Sequence, residues 1–535
     1  MRLPEAFQVY DTTLRDGAQQ EGLSLSVADK MAIAAHLDDL GVGYIEGGWP
    51  GAIPKDTEFF ALAAEELRLK NAVLAAFGST RRAGVRAADD PQVRALLESR
   101  APVVTLVAKS HTGHVERALR TTRAENLAMV ADTVRYLVAE GRRVFLDAEH
   151  FFDGYALDVG YALDVVRAAA DSGAEVVALC DTNGGHLPQR IADAVADVRG
   201  RTGAAVGIHC HNDAGCAVAN TLAAVDAGAV HVQGTVNGYG ERTGNADLVT
   251  VVANLELKRQ QPVLRPGGLA EATRIAHAIS EITNVPPYSR QPYVGASAFA
   301  HKAGLHASAI RVDPDLYQHV DPTTVGNDMR MLVSEMAGRA SIELKGRALG
   351  LDLSDRELLT TITDAVKARE AEGYTFEAAD ASFELLARRL GEGDASWGVP
   401  AYFEIESWRA ITEHRPGSAV GDTTSEATVK LVAGGRRVVA TGEGNGPVNA
   451  LDAALRQALA PCYPELASLD LIDFRVRILE SSHGTDAITR VLLTTADEST
   501  SWTTVGVGPN IVEASWEALT DSYVYGLLRT GVPSR

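Results

Sequence analysis

The chain has 535 residues, 46% hydrophobic and 22% charged, which is material for three or four soluble domains, each with an ample core. Fifty basic against seventy acidic side chains leave a formal charge of −20, which repels a phosphate backbone and sets nucleic-acid binding aside, though local basic groups can still receive an anionic substrate. Four scattered cysteines (Cys180, Cys210, Cys216, Cys462) make neither a disulfide framework nor a cysteine-built zinc site.

Met1-Arg2-Leu3-Pro4-Glu5 leads into no apolar signal segment and no apolar run approaches membrane length, so the expectation is a cytoplasmic protein without a membrane partner. From residue 7 to about 255, short apolar or β-branched runs alternate with longer amphipathic, alanine-rich stretches. The runs predict strands at 7–10, 43–47, 73–77, 103–107, 143–147, 175–179, 205–209 and 230–235. Helices are predicted at 26–40, 57–70, 124–140, 160–172, 187–199 and 214–227. In the first of these, Val27, Met31, Ala34 and Leu37 recur at helical spacing between a serine start and the stop Gly41. Eight strand–helix units in about 250 residues predict a (β/α)8 TIM barrel. A doubly wound open sheet is the alternative, but no glycine-rich dinucleotide loop follows the first strand.

After Pro262 the rhythm breaks. Residues 288–345 read as loops with short helices, 353–392 as helical, and 391–400, rich in glycine and small polar residues, as a boundary. Beyond it, strands are predicted at 401–408, 426–431, 437–443, 474–479, 487–494 and 501–506, with helices at 449–460 and 511–528. Two strand–strand–helix units suggest a small α+β domain and an internal duplication, without a clear sequence repeat behind it. The expected division is a barrel over 1–280, a first subdomain over 281–345, a helical subdomain over 346–400 and an α+β domain over 401–535.

A barrel collects its functional groups at the C-terminal ends of its strands. Here those ends carry Arg15-Asp16, Glu46-Gly47-Gly48-Trp49, Lys109-Ser110-His111, Asp147-Ala148-Glu149-His150, Asp181-Thr182-Asn183, His209-Cys210-His211 and Asn237–Asn245. Alone, Arg15-Asp16 is more often a structural ion pair. His209 and His211 sit two apart on a strand, so both imidazoles face one way and can share an ion, while Cys210 between them points to the packing side. Asp16 is available as a third ligand and Asn245 can add a carbonyl oxygen. Such a set suits Zn2+, Mn2+, Co2+ or Fe2+. With open positions the ion can chelate an α-keto acid, and Arg15 can stabilise the charge that develops on oxygen. His301 and His306, outside the barrel, invite an acid–base role, although loop histidines are usually structural.

Asp-Thr-Thr-Leu-Arg-Asp-Gly (11–17), His-x-His (209–211), Asn-Gly-x-Gly-Glu-Arg-x-Gly-Asn (237–245) and His-Lys-Ala-Gly-Leu-His (301–306) resemble the DRE-TIM metallolyase superfamily, within it the isopropylmalate, homocitrate and citramalate synthases. The segments at 44–51, 76–82 and 147–154 resemble the citramalate synthase branch, and the C-terminal domain resembles a regulatory domain of that family. The resemblance implies acetyl-CoA as co-substrate and pyruvate as keto acid, a divalent metal (Mn2+, Mg2+, Zn2+ or Co2+), feedback by isoleucine and a homodimer. It further implies metal ligands Asp16, His209, His211 and Asn245, with Arg15 on the keto oxygen, Thr182 on the substrate carboxylate and Glu149 as the strand-five acid. His306 and Tyr317 would form a proton-transfer pair lent by the neighbouring chain from a lid over 281–345. Whether Glu149 or His306 takes the acetyl proton stays open. Trp49 or Phe77 beside the keto-acid pocket would favour a methyl group over a branched one. Rival readings are 2-oxoisovalerate as substrate, 2-oxoglutarate with Lys109 or His111 on its second carboxylate, an acyl-CoA lyase, and a non-catalytic amino-acid sensor.

Overall fold

The computed structural model describes residues 7–391, 398–413, 424–479 and 487–534. The start at Met1–Glu5 and most of the boundary read at 391–400 lie outside the described residues. The chain divides into two compact units, one of Met1–Phe299 with Val320–Met329, the other of Ala300–His319 with Arg330–Arg535.

The first unit is a closed parallel barrel of β1 (Gln8–Asp11), β2 (Tyr44–Glu46), β3 (Val73–Ser79), β4 (Val103–Lys109), β5 (Arg143–Glu149), β6 (Val176–Asp181), β7 (Val206–Cys210) and β8 (His231–Gly234). Closure comes where β1 pairs with both β2 and β8, with Tyr10 in register with Gln233. The first helix, Val27–Leu40, shows why the sequence pattern was readable. Ser26 and Asp29 form a reciprocal capping box, Gly41 stops the helix at φ 93°, and Ile33, Ala34, Leu37 and Leu40 are buried. Each large apolar side chain so buried contributes roughly 1.5–3 kcal/mol.

Side chains alternate in and out along each strand, so every second residue enters the barrel. The lower interior is aromatic and aliphatic: Tyr10, Tyr44, Val103, Phe145 and Val176 pack together. One step higher the inward positions turn polar, with Glu46, Thr105, Asp147 and Gln233, all buried. That change of layer marks the floor of the functional end.

In the second unit, helices Arg339–Ala348, Arg356–Ala371 and Asp380–Leu390 enclose a core that includes Ile342, Ile362, Val366 and Phe383. The short strands β9 (Ala300–His301) and β10 (Arg330–Met331) pair in parallel. Then follow two antiparallel sheets of three strands, each succeeded by a helix. β11 (Phe403–Glu413), β12 (Thr424–Ala433) and β13 (Arg436–Gly444) precede Pro447–Leu459; β14 (Asp470–Ile478), β15 (Thr489–Ala496) and β16 (Ser501–Gly508) precede Ile511–Arg529. The repeating unit is therefore three strands and a helix, not two, because β12 and β15 each pair along both edges. No helix among the described residues is long and apolar enough to cross a membrane.

Candidate active site

At the end of β1 the Thr12 carbonyl accepts the amides of Arg15, Asp16 and Gly17, curling the chain into a tight loop. Asp11, fully buried, accepts from the Thr13 amide and hydroxyl, both at 2.8 Å, and Thr13 in turn accepts from the amide of Val236. Asp11 thus ties the loop to the strand-eight end; its carboxylate faces Thr13.

The loop aims Asp16 across the barrel mouth. Its Oδ2 lies 3.1 Å from His209 Nε2 and 3.6 Å from His211 Nε2. Among the described residues this is the one trio of histidine, cysteine or acidic groups whose ligand atoms gather within 4.8 Å. Asn245 joins them because it bridges to His211 as an isolated antiparallel pair. Its amide nitrogen donates to the Tyr239 carbonyl, while its buried Oδ1 has no hydrogen-bond partner. A buried, unpaired carbonyl oxygen on the residue paired with His211 fits a cation, since leaving it unpaired costs about 1–3 kcal/mol. Gly240, at φ 153°, is required here: a Cβ would come within 2.2 Å of the Asn245 nitrogen.

The protonation states suit the same reading. Burial raises the Asp16 carboxyl, but Arg15 and the two histidines outweigh it and hold the group well below the usual carboxylate range. Burial, then the neighbouring His209, brings His211 down to about 4, so it is a neutral donor. Burial lowers His209 too, yet the hydrogen bond and charge of Asp16 prevail and raise it. His209 and Asp16 share a proton that a divalent cation would replace.

Arg15 is pinned from several sides. Its Nε donates to Glu46 Oε2 at 2.6 Å, its Cζ sits 3.8 Å above the Phe77 ring, and its terminal nitrogens lie 3.6 Å from Asp16 and 4.0 Å from Asp147. Glu46 is itself held by the Tyr10 hydroxyl at 2.7 Å. Sequence reading noted Glu46 and Asp147 only as strand ends and passed over Gln233. The available signal was the spacing: each sits an even number of residues from another inward strand position.

Arg15, Asp16, Asp147, His209 and His211 line a cavity of about 620 Å³ that also takes in Trp49, Phe77, Lys109, Glu149, Thr182 and Arg242. The Trp49 and Phe77 rings meet edge to face at 5.2 Å, and both reach the cavity. Thr182 Oγ1 accepts from the His150 amide at 2.8 Å, which leaves its hydroxyl hydrogen to donate. Lys109 is ion-paired with Glu149, and His111 accepts from the Gly113 amide outside the cavity lining, so neither is a free cation for a second substrate carboxylate. Cys210 is buried in the core, as its outward position requires. His306 and Tyr317 belong to the second unit, where their rings stack at 4.1 Å. His301 lies nearby, at 6.4 Å between ring centres from His306.

A parallel barrel with two histidines, an aspartate and an arginine at the C-terminal strand ends defines a class, and residues 6–277 match the HMGL-like family model. Residues 293–373 match the homocitrate synthase post-HMGL domain-like model, and 377–527 the LeuA allosteric (dimerisation) domain. Over 531 residues the chain is 66% identical to the (R)-citramalate synthase of Streptomyces coelicolor, covering 99% of this chain and 98% of that one. The (R)-citramalate synthases of Aquifex aeolicus (48% identity; 98% and 99% covered) and Synechocystis sp. (46%; 97% and 96%) align as completely. The chain belongs to the (R)-citramalate synthase family, whose members are enzymes.

Proposed function

We propose that this enzyme condenses acetyl-CoA with pyruvate and hydrolyses the resulting thioester, giving (R)-citramalate and CoA. The observation that carries the reading is the 66% identity to a citramalate synthase along nearly the whole of both chains. In this reading Trp49 and Phe77, which both line the cavity, take up the space that a branched keto acid would need beyond a methyl group.

Asp16, His209, His211 and Asn245 would hold a divalent metal, of which Mn2+, Mg2+, Zn2+ and Co2+ are the candidates. When bound, it supplies Lewis acidity toward a keto acid's oxygens. Arg15, fixed by Glu46 and stacked on Phe77, offers its terminal N–H groups to the negative charge that grows on the keto oxygen. The Thr182 hydroxyl, anchored through its oxygen, donates to the substrate carboxylate. Glu149, at the cavity wall, and the His306–Tyr317 pair share the proton transfers at the acetyl methyl group, with the pair supplied by the second chain of a homodimer. The acetyl proton is weakly acidic, so base and electrophile must be held together away from water. Isoleucine is the proposed effector, acting through the LeuA-like region.

The test is a keto-acid panel. With Mn2+ or Mg2+, CoA release from acetyl-CoA is expected to be at least about 100-fold more efficient with pyruvate than with 2-oxoisovalerate, the scale on which pocket fit discriminates. Equal or reversed efficiencies overturn the proposal. The same assay on the full chain with added isoleucine checks the effector: CoA release is expected to fall, and an unchanged rate overturns that assignment.

A further inference from the structure

Below the metal-ligand trio lies a buried polar chain that the reaction scheme does not use. Gln233, on β8 and 1% exposed, touches three polar side chains. Its Nε2 donates to Asp147 Oδ1 at 2.8 Å and lies 3.3 Å from His231 Nε2; its Oε1 lies 2.8 Å from His209 Nδ1. His231 Nδ1 is in turn 2.8 Å from Gln8 Oε1, on β1.

Two hydrogens and one oxygen leave this amide few choices. Burial holds His231 neutral, down to about 3, so one of its nitrogens donates and the other accepts. With Gln8 taking the Nδ1 hydrogen, His231 Nε2 is an acceptor, and it faces Gln233. The Asp147 carboxylate is an acceptor as well. Both amide hydrogens of Gln233 are thereby drawn to the Asp147 and His231 side, and its oxygen can only face His209. An oxygen accepts, so His209 carries a hydrogen on Nδ1, and Nε2 is the nitrogen that faces Asp16 and is free to ligate once a cation replaces the proton shared between them.

We infer that Gln233 is a positioning residue for the metal centre: its carboxamide, oriented by Asp147 and His231, fixes the tautomer and ring plane in which His209 can ligate. This rests on the metal-centre reading above and adds to it a buried residue one hydrogen bond behind a ligand. Such outer partners of a ligating imidazole typically carry 10–100-fold in metal affinity. They also explain why polar residues are retained in an interior that is otherwise aliphatic and aromatic.

The experiment titrates the full-length protein with Mn2+ and follows free Mn2+ by electron paramagnetic resonance. Wild type, His209→Ala, Gln233→Met and Gln233→Glu are compared. Wild type should bind one Mn2+ per chain, and His209→Ala should lose that binding. Gln233→Met, close in length but without an acceptor oxygen, should weaken it about 10–100-fold. Gln233→Glu keeps an oxygen for Nδ1 and should recover most of the loss, although it too removes the amide hydrogens given to Asp147 and His231. Equal weakening by the methionine and glutamate variants, or affinity within twofold of wild type in the methionine variant, overturns the positioning role. A wild type that binds no Mn2+, or a His209→Ala variant that binds it unchanged, overturns the metal centre itself, and the two failures are told apart by which protein shows them. Circular dichroism of each variant confirms the fold before titration.

Discussion

At the scale of single residues, charge explains why the barrel mouth is built for a cation. Arg15 is within 4.0 Å of Asp16, Glu46 and Asp147, so one guanidinium faces three carboxylates in a buried setting. Full ionisation leaves two negative charges uncompensated, and burial, then Glu46, pushes the Asp147 carboxyl up to about 6. A divalent ion on Asp16 cancels that excess. Beside it, Trp49 sets the size of the pocket. Trp49→Ala should open space next to Phe77 without touching any ligand or Arg15. The ratio of kcat/KM for 2-oxobutanoate or 2-oxoisovalerate to that for pyruvate should then rise about 10-fold or more, in line with the worth of one or two methylenes in a fitted pocket. An unchanged ratio, with activity on pyruvate retained, would show that the indole does not form the discriminating wall.

At the scale of elements, the strand positions were legible because burial on both faces of a barrel strand writes a short apolar run into the sequence. All eight strands fall where those runs predict them, and the capping box at Ser26 and stop at Gly41 mark the first helix to the residue. The helix after β2 was misread as 57–70; it runs Pro54–Glu66, since Pro54 sits at its first turn and pre-sets the backbone there. Helices Pro91–Glu98, Phe151–Leu157, Leu248–Ala253 and Ala272–Thr283 went unread, the first three being too short to show a helical period. In the site, the ligands were legible because they sit in local motifs. The network of Glu46, Asp147, Gln233 and His231 was not, because its members come from β2, β5 and β8 and meet only when the barrel closes. A similar long-range clamp shapes the loop after β2. Lys30, on the first helix, donates to the Gly47 carbonyl at 3.0 Å and pairs with buried Asp56, whose other oxygen accepts from the Trp49 amide at 2.8 Å. Lys30→Met leaves the Asp56 carboxylate buried without its cation and should cost about 3–5 kcal/mol. A urea titration of the barrel transition measures it; a loss under about 1 kcal/mol would mean that the loop holds Trp49 by packing alone.

At the scale of the whole molecule, the second unit carries a surface that a lone chain does not need. On β14, past a register irregularity between Leu471 and Asp473, Phe474, Val476 and Ile478 recur at every second position and so share one face, with Ile478 59% exposed. β14 pairs only with β15 in its described sheet, so its other edge is open as well. Three exposed apolar side chains in a row, next to an open edge, are a liability in a monomer and a seam in a dimer. They lie inside the region matching the LeuA allosteric (dimerisation) domain, which points to a second copy of the same chain as the occupant. A two-fold seam places each substitution twice, so two charged residues on this face become four across it. Val476→Glu with Ile478→Glu should therefore convert a dimer of the 56.7 kDa chain to monomer, read as a halving of mass by light scattering. If His306 and Tyr317 serve the neighbouring cavity, pyruvate-dependent CoA release should fall in step with the dimer fraction. A mutant that stays dimeric places the seam elsewhere. A folded monomer that keeps full activity would instead show that each chain completes its own active site.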